Sequence, residues 1–219
     1  MVDILEIEKG FQKTEIGIIP EDWSLQELET IAKVIDPHPS HRAPKIVAGG
    51  IPFVGIGDLD EDGVIIGTKL RYVSEEIFYE HQIRYNLNDN LIGLGRVASI
   101  GKVVRLKAHP ELYTISPTLG IIKPEKIDYN FLVQILKTEF VDLQFKKIMS
   151  GSTRSSVGMI VLRKLKIPMP PTIAEQVAIG NVLNDFDVMN KNLEKYLLKY
   201  QKLKLGMMQN LLTGKIRLV

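Results

Sequence analysis

The 219-residue chain contains no cysteine, which excludes disulfides and Cys-ligated zinc and fits a reducing compartment. It has no apolar stretch approaching the length of a membrane span. The opening segment, Met1 to Glu8, lacks a basic stretch followed by a long apolar run, so it does not read as a secretory signal. A cytoplasmic location is the expectation that follows. Charge of one sign is equally scarce: 28 Lys and Arg against 26 Asp and Glu leave a formal +2. Distribution says more than the total. Between positions 137 and 166, Lys137, Lys146, Lys147, Arg154, Arg163, Lys164 and Lys166 face only Glu139 and Asp142. Such a local excess is the footprint of a polyanion site or of a solvated helix face.

Catalytic signatures are missing as well. Gly93-Leu-Gly95-Arg-Val-Ala98 matches a loose dinucleotide fingerprint, but Gly101 to Leu106 reads as a second strand where a helix is required. A glycine-rich hairpin is the better reading. The same glycines miss the P-loop spacing by one residue, and Val103 stands where Ser or Thr is needed. Asp58-Leu-Asp60-Glu-Asp62-Gly63 copies half of a calcium loop, yet its twelfth position is Lys69, so turn chemistry explains it better. His38, His41, His81 and His109 have no metal-ligand spacing and read as surface residues. No Glu or Asp stands two positions before any Lys, which removes the nuclease Glu-x-Lys element, and no Asn-Pro-Pro-Tyr type loop occurs. No metal, no resident cofactor and no enzymatic activity are expected.

What the chain does have is a long rod. From Ile179 the apolar residues fall three and four apart: Val182, Phe186, Met189, Leu193, Tyr196, Tyr200, Leu203 and Met207. This is a heptad a/d seam, which lets a helix supercoil against a partner. Thr172 and Glu175 form a capping box behind Pro171, and Thr213-Gly214 supplies the stop. About 40 residues of helix reach roughly 60 Å, too long for a domain of this size to cover on both sides. Asp185 and Lys199 take g positions, and Asn190 and Lys204 take e positions. A parallel pair would set Lys199 near Lys204, whereas an antiparallel pair centred near residue 191 brings Asp185 towards Lys199. That register matches Ile179 with Leu203, Val182 with Tyr200, Phe186 with Tyr196 and Met189 with Leu193. Leu183, Leu197, Leu198, Leu205, Met208, Leu211 and Leu212 lie off the seam, a stripe wider than one partner helix requires.

Ahead of the rod, composition allows one sizeable domain, with 45% hydrophobic and 25% charged residues. A turn-rich lead-in ends at Trp23. Ser24 with Glu27 predicts a short helix over Leu25 to Val34. Three prolines exclude regular structure between Asp36 and Pro44. Strands are expected at Ile51–Ile56, Gly63–Tyr72, Asn90–Leu94, Gly101–Lys107 and Thr118–Lys123. A helix is expected over Asn130–Lys147, then a polar loop from Met149 to Val157, a strand at Leu165–Ile167, and a proline cluster at 168–171. The fold class is therefore α+β: a mixed globular domain over 1–170 and a long C-terminal helix over 171–219, forming an antiparallel coiled coil in a dimer.

Several segments together resemble the specificity (DNA-recognition) subunit of type I restriction-modification systems. They are Thr14 to Trp23, Asp89 to Gly95 running into Ser99-Ile-Gly101-Lys102, Ile115-Ser-Pro117-Thr-Leu, Gly151-Ser-Thr153, Leu165 to Gln176, and the helix end Gln209 to Lys215. Typical members carry two target recognition domains and two long helices that pair antiparallel. This chain has one of each, so it resembles a half subunit whose second half is another copy. The resemblance implies recognition without catalysis of an interrupted palindrome in double-stranded DNA. It also implies docking onto methyltransferase subunits, which hold S-adenosylmethionine, and onto restriction subunits. Under it the first candidates for DNA contact are Ser152, Thr153, Arg154 and Ser155, followed by His41, Arg42 and Lys45, Lys69 and Arg71, and Arg96 and Lys102. The alternatives are a coiled-coil interaction protein, or a truncated regulator that occupies methyltransferase subunits without reading DNA.

Overall fold

A hairpin opens the structure, a computed structural model that describes residues 9–38, 44–109, 112–150 and 156–218. Strands β1 (Phe11–Thr14) and β2 (Gly17–Pro20) pair antiparallel across a two-residue turn, with Gly17 at φ 136°. The expected helix after Trp23 is not formed. Instead β3 (Ser24–Glu27) leads through a single helical turn, α1 (Leu28–Ile31), into β4 (Ala32–Ile35). Tertiary pairing overrides the local capping signal: Ser24 lies opposite Met169, and the Leu28 N–H donates to the Leu165 carbonyl at 2.9 Å. Next come β5 (Ile51–Val54), β6 (Arg71–Val73) and α2 (Glu75–Gln82), the last a helix that no sequence signal announced. The strand expected over Gly63–Tyr72 survives only at its end, as β6. Gly63 adopts φ 75° against the backbone of Arg105, which holds that segment in a turn.

Strands β7 (Leu91–Gly95), β8 (Val103–Leu106), β9 (Thr114–Ile115) and β10 (Leu119–Pro124) complete the central framework. Four strands form an antiparallel sheet in the order β4-β10-β7-β8, and β6-β5-β9 form a second, with β5 and β9 parallel. Successive side chains leave a strand on opposite faces, and here both faces are buried. Ile92, Leu94, Val103 and Ile122 join one core with Phe131, Leu132 and Leu162. Leu91, Val104, Leu119 and Ile121 join the other with Val54, Leu59, Tyr113 and Ile115. The single helix expected over Asn130–Lys147 is two, α3 (Tyr129–Leu136) and α4 (Glu139–Ser150). The break falls at Lys137 and Thr138, whose N–H groups bond Gln134 and Ile135 in tight turns, after which the Thr138 carbonyl takes the Val141 N–H. Helix α5 (Met159–Arg163) and β11 (Lys166–Met169), which pairs with β3, end the sheet region.

The last element, α6 (Ile173–Leu212), is one uninterrupted helix of 40 residues, as the sequence predicts. Thr172 caps it, its hydroxyl accepting the Glu175 N–H at 3.2 Å. The Glu175 carboxylate accepts from the Trp23 indole at 3.3 Å, and Trp23 packs edge-on against Phe131. At the far end Gly214 takes φ 72°, and the Ile216 N–H closes on the Asn210 carbonyl. The chain divides into two compact units, Met1–Gly180 and Asn181–Val219. The first two turns of α6 fall in the first unit. There Gln176 is buried, accepting the Asp128 N–H at 3.0 Å and donating to the Pro170 carbonyl at 3.3 Å.

Candidate nucleic-acid interface

The β7–β8 hairpin carries two of the candidate cations, and both are turned inward. Arg96 donates through Nε to the Val157 carbonyl at 2.9 Å and through a terminal nitrogen to the Pro117 carbonyl at 3.4 Å, with Asp36 3.9 Å away. Burial pulls its guanidinium below the usual value, Asp36 opposing and Arg163 adding. Lys102 donates to the carbonyls of Ile56 at 3.1 Å and Leu59 at 2.6 Å. These charges hold the hairpin base to neighbouring turns.

The same hairpin meets the segment that follows the polar loop. Val97 bridges Ser156, and the Val157 N–H donates to the Arg96 carbonyl at 2.9 Å. Ser152, Thr153, Arg154 and Ser155 lie outside the described residues, as do His41 and Arg42. Their described flank, Ser156, is exposed and set beside the hairpin. The other three cations gather around β5 and β6. Lys45, Lys69 and Arg71 are exposed, Arg71 stands opposite Phe53 with its guanidinium 5.4 Å from the ring centroid, and Val47 donates to Tyr72. The described candidates thus fall into two sets, one on the β7–β8 hairpin and one on the β5–β6 edge.

The histidines correct the sequence expectation. His81 and His38 are buried, not superficial, with His38 Nδ1 2.8 Å from His81 Nε2. His81 Nδ1 meets the Thr114 hydroxyl at 2.6 Å, and that hydroxyl meets the Tyr85 hydroxyl at 2.9 Å. Burial, reinforced by His38, lowers the His81 pKa to about 4; burial also pushes Tyr85 up to about 12. The network is closed by the Ile115 N–H donating to Tyr85 at 2.9 Å. It is a buried, hydrogen-bonded polar network. Sequence spacing gave no hint of it, because Thr114 and His38 lie 33 and 43 residues from His81.

The half calcium loop is a turn. The Asp60 carboxylate accepts the N–H groups of Asp62 at 3.0 Å and Val64 at 2.8 Å, while Asp58 accepts that of Gly55 at 2.8 Å. Among the described residues no group of three or more His, Asp or Glu is placed to hold a metal ion. No described helix is long and apolar enough to cross a membrane.

On α6, Ile179 is half-buried against the core around Phe131. From Val182 to Met207 every seam residue is exposed, between 53% and 64%. Most off-seam residues are exposed too: Leu183, Leu197, Leu198, Leu205, Met208 and Leu212. These residues form a continuous exposed apolar row along the helix.

Comparison with known proteins places these features. Residues 20–203 match the model of the type I restriction modification DNA specificity domain. The chain is 34% identical over 221 residues to the type I restriction enzyme MjaX specificity subunit of Methanocaldococcus jannaschii, itself provisionally named; the match covers 97% of this chain and 51% of that protein. It is 29% identical over 214 residues to the MjaVIII specificity subunit of the same organism, covering 95% of this chain and 50% of the relative. The crystal structure of the HsdS subunit from Thermoanaerobacter tengcongensis superposes with a TM-score of 0.57 at 15% identity, over 93% of this chain and 48% of that one. The chain therefore spans about half the length of the relatives it matches. With its α+β lobe, its long helix and a match over most of its length, the chain belongs to the type I restriction modification DNA specificity family.

Proposed function

We propose that this chain is the DNA-reading half of a type I specificity subunit and works as an antiparallel homodimer. The observation that carries the reading is the exposed a/d seam of α6, from Val182 to Met207. Pairing two copies head to tail would bury that seam and give the dimer two lobes. A twofold reader requires an inverted repeat with a spacer, because the symmetry of the target follows that of the protein. Each lobe contacts a few base pairs: Lys and Arg hold phosphates, and the β7–β8 hairpin with the 151–156 segment lies against bases. The lobe itself performs no chemistry. Methylation belongs to partner methyltransferase subunits carrying S-adenosylmethionine, and cleavage to restriction subunits. The apolar residues off the seam are the docking surface for those partners, in keeping with a stripe wider than one helix needs.

Selection from a random-sequence duplex pool tests this, using the full chain together with type I methyltransferase subunits. The expected product is an interrupted inverted repeat, with affinity falling as salt rises because phosphate contacts release counterions. Enrichment of no sequence, or of an asymmetric one, overturns the twofold reader.

A further inference from the structure

The β7–β8 hairpin ends in a turn whose residues carry no charge: Val97, Ala98, Ser99 and Ile100. Ala98 and Ser99 are exposed. Ala98 holds φ 63°, the only described non-glycine residue with positive φ. A left-handed alanine persists only where the surroundings over-determine it, and here they do. The Ser99 N–H returns to the Val97 carbonyl at 2.8 Å, Lys102 N–H reaches Ser99 at 3.2 Å, and Gly101 N–H reaches Gly95 at 3.1 Å. Gly95 permits this folding-back, since a Cβ there would stand 2.0 Å from the Ser99 carbonyl oxygen.

The base of the turn is tied on three sides. Arg96 and Val97 donate backbone N–H groups to Thr118, the Arg96 side chain holds Val157 and Pro117, and Lys102 holds Ile56 and Leu59. Two cations that a surface hairpin would ordinarily offer to solvent are thus used to fix a neutral tip. Among the described residues the Ser99 hydroxyl has no hydrogen-bond partner.

We infer that Ala98 and Ser99 are base-reading residues of the lobe, and that Arg96 and Lys102 are positioning residues behind them. This rests on the DNA-reading role proposed above. The chemistry suits a base edge: a serine hydroxyl donates or accepts, and an alanine methyl packs on a thymine methyl. A rigid tip also reads without an ordering cost. Phosphates repel no part of so small and neutral a turn, and attract none, so its contribution is to sequence preference.

The test compares the full wild-type chain with Ser99→Ala and Ala98→Gly, each assembled with methyltransferase subunits and taken through selection from a random duplex pool. Affinities for the enriched site and for a scrambled duplex are then measured. For Ser99→Ala the expected result is a relaxed preference at one position per half-site. The ratio of enriched to scrambled affinity should fall about five- to tenfold. Ala98→Gly is expected to lose preference for a thymine at an adjacent position. Ser99 lies on the surface, so a thermal melt matching wild type is expected to accompany the change. If both variants enrich the wild-type sequence with the wild-type ratio, the tip is not a reader while the DNA-reading role stands. If the wild-type chain enriches nothing, that role and this inference fall together.

Discussion

His81 makes the lobe sensitive to acid at the level of one side chain. Burial and the neighbouring His38 hold its pKa near 4, against 6.5 for an ordinary imidazole; Arg84 lowers it further and Glu80 pulls the other way. Between those values the unfolded chain takes up a proton that the folded chain refuses. Stability is therefore whole above pH 6.5 and is lost as pH falls towards 4, by up to roughly 3 kcal/mol. Urea unfolding of the full chain at pH 7 and pH 4.5 should show this loss, and His81→Gln should reduce it. An unchanged difference in that variant would assign the acid sensitivity to carboxylates. Neither this pair nor the fate of Lys102 was legible in the sequence, for one reason. The partners of Lys102 lie 46 and 43 residues away, and those of His81 lie 43 and 33 away. A lysine beside a glycine looks like a phosphate ligand until the fold supplies two carbonyls for it.

At the scale of elements, legibility followed how much of the signal was local. Helix α6 was readable because its start, period and stop signals are local: Thr172 caps it and Gly214 follows its end, although only half of the expected capping box forms, the Glu175 carboxylate going to Trp23. Strands β7, β8 and β10 were readable from short apolar runs bounded by glycine and asparagine. The stretch from Ser24 to Ile35 was not, because its donors are taken by β11 and β10, which arrive more than 80 residues later. Two glycines within α6 give opposite expectations from the same substitution. A Cβ on Gly180 would stand 2.6 Å from the Phe131 backbone nitrogen, which cannot yield without moving α3. Gly180→Ala should therefore destabilise the first unit by about 1–3 kcal/mol despite alanine's better helix propensity. A Cβ on Gly206 meets nothing within 4 Å, so Gly206→Ala should stabilise the rod by about 0.5–1 kcal/mol. Thermal melts followed by circular dichroism separate the two. Equal effects would mean that the contact at Gly180 relaxes freely.

At the scale of the whole molecule, the seam decides what kind of object the chain is. Eight exposed apolar residues on one side of a helix cost solubility for a monomer and supply a core for a pair. The absence of cysteine makes the pairing directly readable, since any introduced thiol is unique. In the antiparallel register Phe186 of one copy faces Tyr196 of the other. A mixture of Phe186→Cys and Tyr196→Cys chains should therefore join through a short thiol crosslinker, whereas either variant alone should not. A parallel pair reverses both outcomes, because each position then meets its own copy. Sedimentation of the unmodified chain supplies the remaining arm. A monomer at high concentration would remove the second lobe, and with it the physical reason for a symmetric target.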